Sequence, residues 1–132
     1  MDIYQRIATD TTPAVYFNPD TGELLIEGKS ILNDADDFFT PILAWLDEYV
    51  KKTNVKTTFK MKLQYFNVSS SKRLLFMFYK LNMLADINKP VVIKWYYVED
   101  DAEMFEVGQD FAFMVNVPFN FLEYDPYTVA VL

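Results

Sequence analysis

Hydrophobic and polar residues alternate most regularly between Val55 and Phe66, where one face is mostly apolar and the other is mostly lysine. This period of two predicts a strand. A strand covered by helices on both faces would be apolar throughout, so the alternation favours a sheet with its helices on one face and the other face open to water. In this register Tyr65 shares the buried face, and Phe66 lies on the lysine side.

Two shorter apolar runs come earlier, Ala14–Asn18 and Glu23–Gly28, and Pro19-Asp20-Thr21-Gly22 separates them. Residues that tolerate turn dihedrals between two apolar runs are typical of a β-hairpin.

Elsewhere the apolar spacing becomes helical. A first helix is predicted from about Asn33 and a second over Ser70–Asp86, and Asp100 and Asp101 can cap a third. The inward-facing residues of the three helices are, in chain order, Phe38, Ile42, Trp45, Leu46 and Tyr49; Leu74, Leu75, Phe78, Leu81 and Ala85; and Met104, Phe105, Val107 and Phe111.

Val91–Val98 is rich in β-branched and aromatic residues, which predicts a strand parallel to the one before the second helix. A final strand is predicted over Val115–Phe121, and Pro118 within it suits a sheet edge. The fold class predicted is therefore α/β: a two-layer sandwich of a mixed sheet with helices on one face, formed by one domain over residues 1–132.

Composition narrows the function. The chain has 132 residues, 52% hydrophobic and 17% aromatic, which suits one compact domain. It contains no cysteine and no histidine, which excludes disulfides, thiolate or imidazole zinc sites and His-dependent catalysis. Asp36 and Asp37 are paired carboxylates, but nothing fixes them at a reacting centre, and no phosphate-binding glycine loop is present. We therefore expect no catalysis and no cofactor.

The net charge of −7 argues against binding to nucleic acid or anionic lipid. The charges are segregated: Tyr49–Ala85 contains no Asp or Glu, and Trp95–Leu132 contains no Lys or Arg. The acidic group Glu99–Glu103 lacks the spacing of a calcium loop, so no metal site is predicted. No targeting or membrane-spanning segment is visible, so we expect a cytoplasmic protein without membrane insertion.

One segment contains hydroxyl groups that are candidates for phosphorylation. Asn67, Ser69, Ser70 and Ser71 lie where a strand gives way to a helix inside the basic block, followed by Lys72 and Arg73. Asn and Ser are also ordinary helix N-caps, and capping alone explains their presence. The same position stabilises anions, so a phosphate on one of these hydroxyls would be tolerated and would add about two negative charges to the surface.

Four features in order along the chain resemble the SiaC-type regulatory phosphoproteins, a bacterial family of small single domains. They are Thr12-Pro13-Ala14 opening the first strand, the aromatic helix from Phe38-Phe39 to Trp45-Leu46, the strand end Tyr65-Phe66-Asn67-Val68-Ser69-Ser70, and the strand from Pro90 to Trp95. The resemblance implies a fold like that of STAS domains in partner switching. It also implies a dedicated Ser/Thr kinase, a PP2C-type phosphatase and a phosphorylation-dependent target, in the best-known case a diguanylate cyclase in c-di-GMP signalling.

The family's phosphoacceptor threonine falls on Val68, which has no hydroxyl. Either the acceptor has moved to Ser69 or Ser70, or the protein is locked in the unmodified form; we favour the second, because a shift of one residue turns the side chain in another direction.

Phe66, Lys72 and Arg73 are the predicted partner-binding residues, since Phe66 lies on the lysine side in the predicted register. The alternative function is a scaffolding or small-ligand-binding domain of the same fold without a phosphorylation switch, because fold alone does not decide function.

Overall fold

The computed structural model describes residues 1–127. Within them the chain forms, in order, β1 (Tyr4–Arg6), β2 (Ala14–Asn18), β3 (Glu23–Ser30), α1 (Ala35–Lys52), β4 (Thr57–Phe66), α2 (Val68–Asp86), β5 (Val91–Val98), α3 (Ala102–Met114) and β6 (Phe119–Tyr124). The strands make one six-stranded sheet in the order β1-β2-β3-β4-β5-β6. Strands β1 to β3 pair antiparallel, and β3 to β6 pair parallel. The predicted mixed α/β class is confirmed.

The three helices cover one face of this sheet. Phe78 of α2 contacts Trp95 of β5 and Phe111 of α3, with ring centroids 6.3 and 5.2 Å apart respectively. Trp45 of α1 contacts Phe17 of β2 on the same side at 5.2 Å. The core therefore lies between the sheet and a single helical layer, as the alternation in β4 predicts.

The opposite face carries the lysines of β4 and aromatic side chains of β5 and β6. The ammonium of Lys62 lies 4.6 Å from the ring centroid of Tyr96, and the hydroxyl of Tyr124 donates to the Lys62 carbonyl at 3.2 Å. Burial of this hydroxyl, with the carboxylate of Glu27 nearby, raises the pKa of Tyr124 to about 12. Within residues 1–127 no helix is long and apolar enough to cross a membrane.

A close contact fixes α3 against β5. The indole nitrogen of Trp95 donates to the carbonyl of Met104 at 3.1 Å. A Cβ at Gly108 would lie only 2.5 Å from that nitrogen, so α3 approaches Trp95 this closely only because residue 108 has no side chain. This contact sets the position of the first turn of α3 beside the end of β4.

The last strand begins later than predicted. β6 starts at Phe119, directly after Pro118, and not at Val115. Proline cannot donate to the ladder, so regular pairing starts beyond it, and β6 does form an edge of the sheet. The short edge strand β1 was not predicted from the sequence.

The alternation of β4 fails at its end. Gly28 pairs with Leu63, but Lys29 pairs with Tyr65, so β4 carries one extra residue at this point. Such a bulge reverses which side chains face inward. The prediction that Tyr65 is buried and Phe66 lies on the lysine side is therefore wrong: Tyr65 is 52% exposed, and Phe66 packs against the core.

Candidate functional site

The candidate site lies at the end of β4, where the chain turns into α2. Asn67 is the N-cap of α2, and its side-chain oxygen accepts from the Ser70 amide at 3.1 Å. Its side-chain nitrogen donates to the Leu32 carbonyl at 2.9 Å, and its own amide donates to the Ser30 carbonyl at 3.0 Å. The predicted capping role is confirmed, and Asn67 also ties this turn to the chain after β3.

Ser70 lies beneath the turn and has no exposed surface. Its hydroxyl lies 2.7 Å from the Ser30 hydroxyl and donates to the Asn67 side-chain oxygen at 2.8 Å. Ser70 begins the buried stripe that continues with Leu74 and Met77, at helical spacing. The burial of its hydroxyl out of a kinase's reach argues against the alternative that Ser70 replaces the missing acceptor.

Val68 lies on the other side of the same turn. It is the first residue of α2, and its side chain is 89% exposed. Ser69 and Ser71 are of intermediate exposure. The position that corresponds by resemblance to the family's phosphoacceptor is thus the most open one in the turn, and in this chain it carries a methyl group where a threonine carries its hydroxyl.

The two predicted charge partners, Lys72 and Arg73, differ in whether they already form an ion pair. The Arg73 guanidinium bonds to Asp36 in the first turn of α1, with Nε 2.7 Å from the carboxylate oxygen, so it joins the starts of the two helices. Lys72 is exposed and lies 5.7 Å from the ring centroid of Phe76. It makes no ion pair in the part of the chain that the structure describes. Lys72 is therefore the cation here that remains available to a partner.

Tyr65 borders the turn and is the exposed aromatic that sequence reasoning placed on the wrong face. Phe66 contacts Trp95 and Phe111, with ring centroids 6.3 and 6.4 Å apart respectively. Tyr65 and Phe66 exchange faces because of the bulge. The bulge depends on pairing with β3, so it cannot be read from the period of β4 alone. Docking through Phe66 remains a prediction, but it can no longer be argued from exposure, because Phe66 does not lie on the lysine side.

Beside Tyr65 a small cleft separates the end of β4 from the first turn of α3. It encloses about 130 Å³, and its walls include Tyr65, Phe66, Asp101, Glu103 and Met104. No group of three or more acidic side chains within residues 1–127 could hold a metal ion. The site thus offers an exposed valine, a half-exposed tyrosine and a small cleft that the tyrosine lines.

A family model described as the SiaC family regulatory phosphoprotein matches residues 7–124. The chain belongs to the SiaC family. It is 22% identical over 117 residues to an uncharacterised protein of Pseudomonas aeruginosa (strain UCBPP-PA14), a match that covers 89% of this chain and 93% of that relative. The family is described as one of regulatory phosphoproteins. This description confirms the expectation of a regulator and not an enzyme.

Solved structures of SiaC from Pseudomonas aeruginosa share the fold. Apo-SiaC superimposes with a TM-score of 0.83 at 20% identity, covering 92% of this chain and 99% of that one. SiaC in complex with the diguanylate cyclase SiaD, which it activates, gives a TM-score of 0.86 at 21% identity, with the same coverage. A further SiaC structure gives 0.86 at 22% identity and covers 94% of this chain and all of that one.

Proposed function

We propose that this chain is a non-catalytic signalling protein that binds a diguanylate cyclase through the exposed surface at the start of α2, and that Val68 keeps this surface in its unmodified form. Membership of the SiaC family and the solved SiaC–SiaD complex support a cyclase as partner. The observation that carries the proposal is the 89% exposure of Val68 at the first position of α2.

The structure favours the locked form over a displaced acceptor. Ser70 is buried and its hydroxyl is bonded to Ser30 and Asn67, so the hydroxyls that remain within a kinase's reach in this turn are those of Ser69 and Ser71. Ser69 lies about 100° around the helix from position 68, and Ser71 lies about 4.5 Å further along the helix axis, so neither presents its hydroxyl where the position 68 side chain lies. We expect a cognate kinase and PP2C-type phosphatase to have no substrate in this turn.

The cleft beside the turn is too small to support the alternative of a small-ligand site at this position. The cleft beside the turn, at about 130 Å³, is well below the roughly 300–1,000 Å³ of typical small-molecule sites. An exposed apolar side chain beside a half-exposed aromatic is more typical of a protein-docking surface.

Phosphosite mapping by mass spectrometry tests whether Val68 keeps the turn unphosphorylated. Protein isolated from its native cells should carry no phosphate between Asn67 and Arg73, whereas a Val68→Thr variant should carry one on residue 68. Val55→Thr is the matched control, because Val55 is an exposed valine just before β4 and far from the turn. Phosphate on Ser69 or Ser71 of the wild type would contradict the proposal that Val68 keeps the turn unmodified, and no phosphate on either variant would remove kinase control from the proposal.

Binding to purified diguanylate cyclases from the same cells tests the partner. The wild-type chain should bind one of them and change its rate of cyclic di-GMP synthesis without phosphorylation by any kinase. Absence of binding to every cyclase would contradict the proposed function.

A further inference from the structure

We propose that the cleft between the end of β4 and the first turn of α3 receives a lysine or arginine side chain of the protein partner. This inference rests on the proposed function and extends the docking surface from Val68 to α3. It does not depend on phosphorylation.

The small volume and the partly apolar lining of the cleft suit a single side chain. Tyr65 and Met104 line it together with Val107, and Tyr65 is 52% exposed. A lysine or arginine side chain has an apolar stem that packs on such walls while its charged end stays at the rim. The Tyr65 ring adds a face over which a cation is attracted by the ring's quadrupole.

The rim of the cleft carries negative charge. Asp101 is the N-cap of α3, and one of its carboxylate oxygens accepts from the Met104 amide at 3.0 Å. Glu103 is exposed in the first turn of the same helix. A guanidinium or ammonium at the rim would meet both carboxylates, which form stronger hydrogen bonds than neutral acceptors do.

These carboxylates are not neutralised by cations of the chain itself. The ion pairs within residues 1–127 join Lys52 to Glu48, Lys60 to Glu23, Arg73 to Asp36 and Lys80 to Asp47. None involves α3, and the sequence from Trp95 to its end contains no Lys or Arg. Within residues 1–127 neither Asp101 nor Glu103 is paired with a cation, so both carboxylates are open to a cation from another molecule.

Other occupants fit less well. An anion would be repelled by Asp101 and Glu103, whose two negative charges outweigh the roughly half positive charge at the start of α3. An apolar side chain would cover the carboxylates without pairing them, which costs free energy. A basic side chain satisfies both the apolar walls and the charged rim.

Tyr65 connects the cleft to the proposed docking surface along the sequence. Tyr65 forms part of its wall and lies three residues before Val68, on the same turn. One partner segment can therefore contact Val68 and place a basic side chain beside Glu103. We expect the segment to combine an apolar residue with a lysine or arginine.

Nuclear magnetic resonance with capped tripeptides tests the cleft without any cyclase. Ac-Gly-Arg-Gly-NH₂ should shift the amide signals of Tyr65, Glu103 and Val107 with an affinity about threefold above that of the Gln and Leu analogues, as expected for one screened ion pair. Glu103→Lys should abolish this preference. Glu106→Lys is the matched control, because Glu106 is exposed on the same helix but outside the cleft wall.

Equal responses to the Arg and Gln peptides, a stronger response to the Leu peptide, or equal effects of Glu103→Lys and Glu106→Lys would each overturn the inference. With a cyclase that binds the wild type, Glu103→Lys should weaken binding about tenfold through like-charge repulsion, and Glu103→Gln about threefold. Failure of the wild type to bind any cyclase would contradict the proposed function and leave the peptide result standing, so the two failures are distinguishable.

Discussion

Residues 65–70 divide between two sides of one turn that have opposite properties. On the inner side, Phe66 packs on the core, and Asn67 and Ser70 form a closed hydrogen-bond network with Ser30. On the outer side, Tyr65 is 52% and Val68 is 89% exposed. Residues of the inner side fix where the turn lies, and residues of the outer side are available to another molecule. Substitutions on the inner side should therefore change stability, and those on the outer side should change binding.

The largest contrast in stability is expected between the neighbours Phe66 and Tyr65. Phe66→Ala should lower the free energy of unfolding by about 3 kcal/mol, because it removes an aromatic ring packed on Trp95 and Phe111. Tyr65→Ala should lower it by less than about 1 kcal/mol, since half of that side chain is already in water. Urea unfolding measures both. Similar losses for the two variants would contradict the placement of Phe66 on the inner side and Tyr65 on the outer side of the turn.

A smaller contrast is expected between Asn67 and its neighbour Val68. Asn67→Ala removes the cap of α2 and leaves the Leu32 carbonyl without its donor, so the free energy of unfolding should fall by about 2 kcal/mol. Val68→Ala, the matched outer change, should stay within about 0.5 kcal/mol of the wild type. Thermal and urea unfolding should agree. An Asn67→Ala protein as stable as Val68→Ala would show that the network does not hold the turn.

The smallest effect is the coupling between the two buried hydroxyls. Ser30→Ala and Ser70→Ala should each destabilise the protein, because each leaves the partner hydroxyl with one hydrogen bond fewer. The double variant should cost about 1 kcal/mol less than the sum of the single losses. Strict additivity in this double-mutant cycle would mean that the two hydroxyls do not interact in solution.

Much of the fold could be predicted from the sequence, because it depends on periods that local residues express. The alternation in β4, the helical spacing of Leu74, Phe78 and Leu81 and the turn before Glu23 each predict an element that the structure confirms. The predicted start of the last strand is wrong because Pro118 delays pairing. β1 has only three residues, too few to show a period.

The candidate site was predictable only in part. Asn67 as a cap follows from its place before a helix, and the exposure of position 68 follows from a helix start at the protein surface. The burial of Ser70 depends on Ser30, which is 40 residues away in the sequence. The exchange of Tyr65 and Phe66 depends on pairing between β3 and β4. Long-range contacts of this kind leave no mark on the local pattern.

The affinity of a Val68→Glu variant for the cyclase that binds the wild type tests the central claim most directly. Glutamate at this helix start is favourable for α2 itself, so the free energy of unfolding should not fall, while binding should weaken at least about tenfold because a charged side chain replaces the apolar one that meets an apolar residue of the partner. Val55→Glu, which places the same charge on an exposed valine at the opposite end of β4, should bind as the wild type does. Equal affinities for the two variants would show that the outer side of the turn is not the partner surface.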